Sequence, residues 1–509
     1  MDAGTVEGRA AMNYWRVLQL SAPEAIVALT ALAVLFVDLQ CRGAWSIGRR
    51  RIAGSILSSA GCLAAMLSLF CFPQTGELAN GVWVVGSMSQ LIKGFILVLS
   101  LITALMVLET DLEFTPHVGE YHALLLLAAL GFMCMVSTRE ILMIFVSLEL
   151  ASLSLYLLTA FAKKSPASTE AAIKYFIFGG VSAAFMLFGL SLVYGLTGET
   201  RLAAIALKLK QYGMDPLLIA AMVMIAIGLG FKIASAPFHW WAPDVYEAGP
   251  ICTSALVASG SKIAGFVLLT TVMIAGFSGL EGSGDWRGFK MGWVPLLAGL
   301  SLASMFLGNL AAIVQTSVRR LLAYSAIAQG GYALIGLLPG SGMGVSAVVY
   351  YTLTYALTVL GAFIVVAVVS AGTERGDAME DFVGLSRRAP LVSLCMMVFM
   401  LSLAGIPPLA GFFGKFYLFA SALKGGSGSF GLMWLVVFAI AMSAVSLYYY
   451  LLVLKQIYVV EGNPKVSLIN VAPTTQMILV VLALAVVVLG AAPDLVLNPL
   501  TKAVSASLF

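Results

Sequence analysis

Apolar residues fall along this chain in long blocks rather than in alternation. Windows bounded by charges, prolines or glycine clusters lie near 23–39, 52–72, 91–108, 121–137, 140–161, 172–195, 217–238, 251–276, 293–315, 320–338, 344–371, 391–422, 430–455 and 475–492. Most are about 18 to 26 residues long, the length a helix needs to cross a bilayer, whereas a membrane strand alternates over roughly ten residues. The pattern therefore predicts an all-α polytopic membrane protein with about fourteen spanning helices joined by short loops. The first window lacks a small-residue cleavage site and reads as a retained helix rather than a signal peptide.

Composition agrees. Of 509 residues, 61% are hydrophobic and 10% charged, against about 45–50% apolar in soluble domains. The net charge of +4 is spread over many loops and offers no nucleic-acid surface. Six cysteines, Cys41, Cys62, Cys71, Cys134, Cys252 and Cys395, lack CxxC spacing and read as apolar filler rather than metal ligands. No phosphate loop, dinucleotide fingerprint or haem or cluster ligand set is present, so the chain itself is expected to bind no cofactor. Basic residues favour the loops holding Arg42, Arg49, Arg50, Arg51, Lys163, Lys164, Arg319, Arg320, Arg375, Arg387, Arg388, Lys455 and Lys465. The positive-inside tendency then places both termini outside the cytoplasm.

Five lysines fall inside the windows: Lys93, Lys174, Lys232, Lys262 and Lys415. A lysine at mid-bilayer costs between about 2.5 and 17 kcal/mol, so each needs a partner, a wet cavity or deprotonation. Lys93 lies near a helix end and is expected to snorkel to the interface. For Lys174, within a turn of its helix start, snorkelling and a relay role both stay open. Lys232, Lys262 and Lys415 lie deeper, and Glu149 reads as the one acid clearly inside the membrane. Burial lowers a lysine pKa and a nearby carboxylate raises it again, so a Glu–Lys pair of variable separation can load and release a proton. A static ion pair is the plainer reading, but one pair does not account for three deep lysines.

Two of the lysines sit beside helix breakers. Lys232 lies in GLGFKIASAPFHWWAPDVYEAGP and Lys415 in LAGIPPLAGFFGKFYLF. Proline and glycine there predict broken helices whose freed carbonyls need water or a polar side chain. An internal repeat is also visible. STREILMIFVSLELASLSLYLL and TSVRRLLAYSAIAQGGYALIGLL begin alike, Glu149 falling opposite Gln329 at an offset of 180, while Lys232 and Lys415 differ by 183. The expected organisation is N-terminal helices over 1–120, a five-helix unit over 121–276, an inverted second unit over 293–455 and a last helix within 456–509.

These motifs, with SALVASGSKIAGF, LMIFVSLELASLSLYLLTAF and RRLLAYSAIAQGGYALIGL, resemble subunit N (subunit 2) of proton-pumping NADH-quinone oxidoreductase, respiratory complex I, over about residues 90 to 455. The resemblance implies an antiporter-like subunit of fourteen helices on an inverted five-helix repeat, with helices 7 and 12 broken. It implies a proton relay of Glu149, Lys232, Lys262 and Lys415, while Lys174 stays a candidate for the relay on its position alone. It also implies neighbouring antiporter-like subunits as partners and a bacterial plasma membrane location, with NADH, FMN, iron-sulfur clusters and quinone bound in partner subunits. Many relatives carry a histidine where this chain has Gln329, so water would have to carry the proton between Lys262 and Lys415. His239 and Asp244 read as structural or gating residues, His117 and His122 as interface residues. Rival readings are a subunit of a multi-subunit sodium/proton antiporter and a stand-alone secondary transporter.

Overall fold

A computed structural model describes residues 14–71, 75–78, 81–109, 117–286, 288–371, 376–424, 431–461 and 468–508; Arg375 and Lys465 lie outside them. The chain opens with α1 (Tyr14–Cys41) and α2 (Ile47–Cys71), a small antiparallel hairpin of β1 (Gly76–Leu78) and β2 (Trp83–Val85), and α3 (Ser87–Glu109). Next come α4 (Val118–Met135), α5 (Ile141–Thr159), α6 (Pro166–Thr197), the short α7 (Leu202–Leu209), α8 (Pro216–Lys232) and α9 (Trp241–Ala248). A long helix over Ile251–Gly276 contains α10 (Ile251–Leu256), a π-turn at Val257–Ser261, α11 (Lys262–Thr271) and a second π-turn at Val272–Gly276. The rest are α12 (Trp293–Ile313), α13 (Val318–Leu337), α14 (Gly342–Ser370), α15 (Leu385–Arg388), α16 (Pro390–Ala404), α17 (Ala410–Lys424), α18 (Met433–Tyr458), α19 (Pro473–Ala491) and α20 (Asp494–Leu508).

Every predicted window overlaps helix, but 217–238 outruns α8 and 391–422 holds two helices, α16 and α17, with a break between them. Among the described residues eleven helices are long and apolar enough to cross a bilayer, and α8 and α16 are shorter apolar helices. The chain is thus a multi-pass helical membrane protein. Helix starts follow local chemistry. Ser165 and Asp215 accept backbone N–H bonds as N-caps ahead of Pro166 and Pro216, and Glu140 accepts from Met143 N at 2.8 Å, which satisfies donors a helix start leaves open.

Burial separates inner from outer helices. The Ile251–Gly276 helix and α14 are almost wholly enclosed, whereas α1, α6, α18 and α19 leave Leu29, Phe36, Phe176, Val437 and Leu484 exposed, an apolar exterior that lipid solvates without penalty. Small residues let helices close in. A Cβ on Gly131 of α4 would fall 2.6 Å from the Ala151 backbone of α5, and one on Gly308 of α12 would fall 2.7 Å from Ala328 of α13.

The sequence reading needs several corrections here. Helix α1 starts at Tyr14 rather than near 23, because Pro23 sits inside it and does not mark its beginning. The hairpin, α7, α9 and the π-turns were not expected, nor was α20, which packs against α3 and α14. His122 is fully buried, with its ring against Gly54 and Ser55, not an interface residue.

Candidate functional site

The two expected breaks are where the chain leaves helical geometry at depth. α8 stops at Lys232, and Ala234 takes a left-handed φ of 54°, a strained conformation for a residue with a Cβ. α16 stops at Ala404, where Gly405 takes φ 88°, a left-handed turn that glycine allows without penalty, before α17 begins at Ala410. Each break frees carbonyl oxygens, and side chains claim them. Lys262, first residue after a π-turn, donates to the Ile233 carbonyl at 2.5 Å and to the Ala326 carbonyl at 3.1 Å. Lys415 donates to the Leu403 and Ala404 carbonyls at 3.1 and 3.2 Å and to Ser443 Oγ at 3.0 Å, its ammonium 4.9 Å from the Tyr332 ring. Oriented peptide dipoles thus replace the hydration an ammonium loses at this depth.

Lys232 is held differently. It is 2% exposed, donates to Ser152 Oγ at 3.0 Å and lies 5.7 Å from the Phe132 ring. Glu149 sits one turn before Ser152 on α5, yet no ion pair joins it to Lys232, and its Oε1 is buried without a hydrogen bond. The intended couple is present but open.

Gln329 occupies the middle of the row. Its Nε2 donates to the Leu403 carbonyl at 3.1 Å and to the Tyr450 hydroxyl at 3.0 Å, and its Oε1 accepts from Tyr351. Gln329 and Lys415 therefore share the Leu403 oxygen. Tyr450 also bonds Ser325. A cleft of about 340 Å³ opens against Lys415 between α17 and α18, lined by Gly405, Phe412, Phe416, Ser443 and Leu447.

Lys174 stands apart from this row. It is 41% exposed and paired with Glu170 at 2.7 Å and Asp244 at 2.8 Å, while Asp244 and Glu247 also bind Arg320. Asp244 thus ties α6, α9 and α13 together at one membrane face, and buried His239 stacks on Trp240. His117 is partly exposed and bonds Glu120, which also holds Arg42.

Lys93 overturns its expectation. It does not snorkel: its side chain is 0% exposed and pairs with Glu24 of α1 at 2.7 Å, 5.3 Å from the Trp83 ring. Glu149 is accordingly not alone as a buried acid. Glu24 lies well inside α1, ten residues beyond Tyr14. Asp38 and Arg50 form a further buried pair, through hydrogen bonds of 2.7 and 2.5 Å. Among the described residues no group of three or more His, Cys, Asp or Glu could hold a metal ion.

Broken spanning helices with polar groups gathered at the breaks are an architecture that membrane transporters use. Residues 138–445 match the family model described as NADH:quinone oxidoreductase/Mrp antiporter, TM. A curated relative from Acidobacterium capsulatum, NADH-quinone oxidoreductase subunit N 2, is 43% identical over 96% of this chain and 99% of its own. Among solved structures, a chain of respiratory complex I from Thermus thermophilus with bound aureothin superposes with a TM-score of 0.77 at 33% identity, covering 94% of this chain and 98% of that one. A chain of the Mrp complex from Dietzia sp. shares the fold, with a TM-score of 0.79 at 20% identity over 95% and 97%. The chain belongs to the NADH:quinone oxidoreductase/Mrp antiporter membrane family, in its subunit N branch.

Proposed function

We propose that this chain is the subunit N of a bacterial NADH-quinone oxidoreductase and provides one of its proton pathways, without redox chemistry of its own. Oxidation of NADH through FMN and iron-sulfur clusters and reduction of quinone belong to partner subunits. The observation that carries the reading is the row of Lys232, Lys262 and Lys415, each buried and each held by neutral oxygens rather than by a carboxylate. An ammonium solvated only by neutral groups can lose its proton without stranding a counter-charge, which a closed ion pair cannot do. Glu149 is the switch. When its carboxylate approaches, Lys232 keeps its proton; when it withdraws, the proton moves on to Lys262 and then Lys415. Lys174 is not part of this relay and serves to hold α6 to α9.

The same geometry supports membrane partners at both ends. Glu149 lies on the α5 stripe of Leu142, Val146 and Leu153, all exposed on the isolated chain, and a carboxylate on such a stripe needs a protein neighbour rather than lipid. The Lys415 cleft between α17 and α18 opens at another part of the surface. Neighbouring membrane subunits, antiporter-like ones among them, would cover both. We place the protein in the bacterial plasma membrane with its termini on the non-cytoplasmic side. The two five-helix units, 121–276 and 293–455, each carry one break, so that each opens to one face. The higher sequence identity to the oxidoreductase chains, 43% and 33% against 20% for the Mrp chain, favours this reading over a sodium/proton antiporter.

The test is Lys262→Met in the assembled enzyme. In inside-out vesicles NADH-driven proton uptake should fall by about tenfold or more, while NADH oxidation by ferricyanide stays unchanged. Wild-type uptake in Lys262→Met would overturn the proposal, and a requirement for sodium would favour the antiporter reading.

A further inference from the structure

Resting on the proton-pathway reading, the structure points to a specific carrier for the segment between Lys262 and Lys415. We propose that a string of hydroxyl groups, Ser325, Tyr450, Ser446 and Ser443, takes the place of a titratable side chain at position 329, and that Gln329 positions this string without carrying the proton.

Gln329 is a poor carrier because all its hydrogen-bonding groups are taken in one orientation. Both Nε2 hydrogens are donated, to Leu403 and Tyr450, and Oε1 accepts from Tyr351. An amide of this kind passes a proton only by giving up its bonds, whereas a hydroxyl both donates and accepts. Hydroxyls are what surround it. Ser325 lies one residue before Ala326, whose carbonyl holds the Lys262 ammonium, and Ser325 is bonded to Tyr450. On α18, Ser443, Ser446 and Tyr450 follow the i, i+3, i+7 spacing of one helix face. Ser446 is buried and donates to the Ser443 carbonyl at 2.7 Å, and Ser443 Oγ holds Lys415 at 3.0 Å. The stripe thus runs from the amide to the terminal lysine over seven residues, about 10 Å at 1.5 Å per residue.

The step balances. One proton leaves the Lys262 ammonium, each hydroxyl takes one proton and gives one up, and one proton arrives on the Lys415 amine. Ser325 to Tyr450 is a direct contact. Along α18 the intervals from Tyr450 to Ser446 and from Ser446 to Ser443 are about one helical turn or less, and Lys262 reaches α13 at the Ala326 carbonyl next to Ser325; a water molecule closes each of these steps. Tyr351 touches only the amide in this cluster and lies off the string.

The experiment uses the whole enzyme in inside-out vesicles, with ferricyanide reduction as the measure of assembly. Ser325→Ala and Tyr450→Phe should each lower NADH-driven proton uptake by about tenfold, and Gln329→His added to Tyr450→Phe should restore most of it, because imidazole titrates near neutral pH. Tyr351→Phe should stay within about twofold of wild type. Should Tyr450→Phe fail to assemble, Ser325→Ala, which deletes one oxygen, decides. Wild-type uptake in Ser325→Ala and Tyr450→Phe, alongside loss in Lys262→Met, would overturn the string while leaving the pathway reading intact. No rescue by Gln329→His, or an equal loss in Tyr351→Phe, would reduce the cluster to packing. Wild-type uptake in Lys262→Met would instead remove the reading on which the string rests.

Discussion

The protein holds two glutamate–lysine couples within its spanning helices, one fully buried and one half-buried on the acid side, and they are in opposite states. Glu24 and Lys93 are in contact at 2.7 Å, both side chains almost fully enclosed between α1 and α3. Glu149 and Lys232 are apart, the lysine buried on Ser152 and the half-buried glutamate with one carboxylate oxygen unbonded. The difference is in the alternatives each lysine has. Lys93 has no hydrogen-bond acceptor among the described residues besides its ion pair, so separating that pair would strand two charges in a dry site at a cost of several kcal/mol each. Lys232 has a hydroxyl to fall back on, so its counter-ion can come and go. A closed pair fixes helices; an open one can be set by its surroundings.

That contrast can be broken in graded ways. The largest effect is expected from Lys93→Met alone, which strands Glu24 and should destabilise the chain by about 3–5 kcal/mol, seen as loss of the subunit from membranes. Glu24→Leu combined with Lys93→Met should restore assembly and proton uptake together. Assembly without uptake would make the N-terminal couple a working part and erase the distinction. Glu149→Gln comes next, with normal assembly and more than about tenfold loss of coupled proton uptake. Ser152→Ala removes the lysine's fallback. With a net hydrogen bond worth about 0.5–1.5 kcal/mol, uptake should drop roughly threefold to tenfold, and Glu149 and Lys232 should move into contact in a structure of the variant. Lys174→Met is expected to do least. Its partner Glu170 is exposed and Asp244 partly so and also held by Arg320, salt screens the pairs, and uptake should change by less than about twofold.

How much of this could be read in the sequence depended on whether a residue contradicted its surroundings. Lys232, Lys262 and Lys415 did so openly, as charges in apolar windows, and the glycines and prolines beside two of them announced the breaks. Glu24 did not, because Pro23 imitates a helix start and hides how far α1 extends toward the N-terminus. Nor did Ser325, Ser443, Ser446 and Tyr450, since a hydroxyl in a spanning helix usually satisfies itself on its own backbone. Their meeting is a matter of how α13 and α18 pack. The π-turn before Lys262 leaves no periodic signature, and the helix Asp494–Leu508, which contains Pro499 and is apolar on one face only, escapes a search for long apolar windows.

The lysines at the core of the molecule are held mainly by the main chain, and this bears on how the protein tolerates change. A carboxylate can be deleted by one base substitution; a peptide oxygen cannot. What a mutation can alter is the bend that presents those oxygens, set at Ala234 and Gly405. Damage to ammonium binding at Lys262 and Lys415 should therefore trace to residues with no polar side chain at all, and a search for harmful variants confined to charged positions would overlook them.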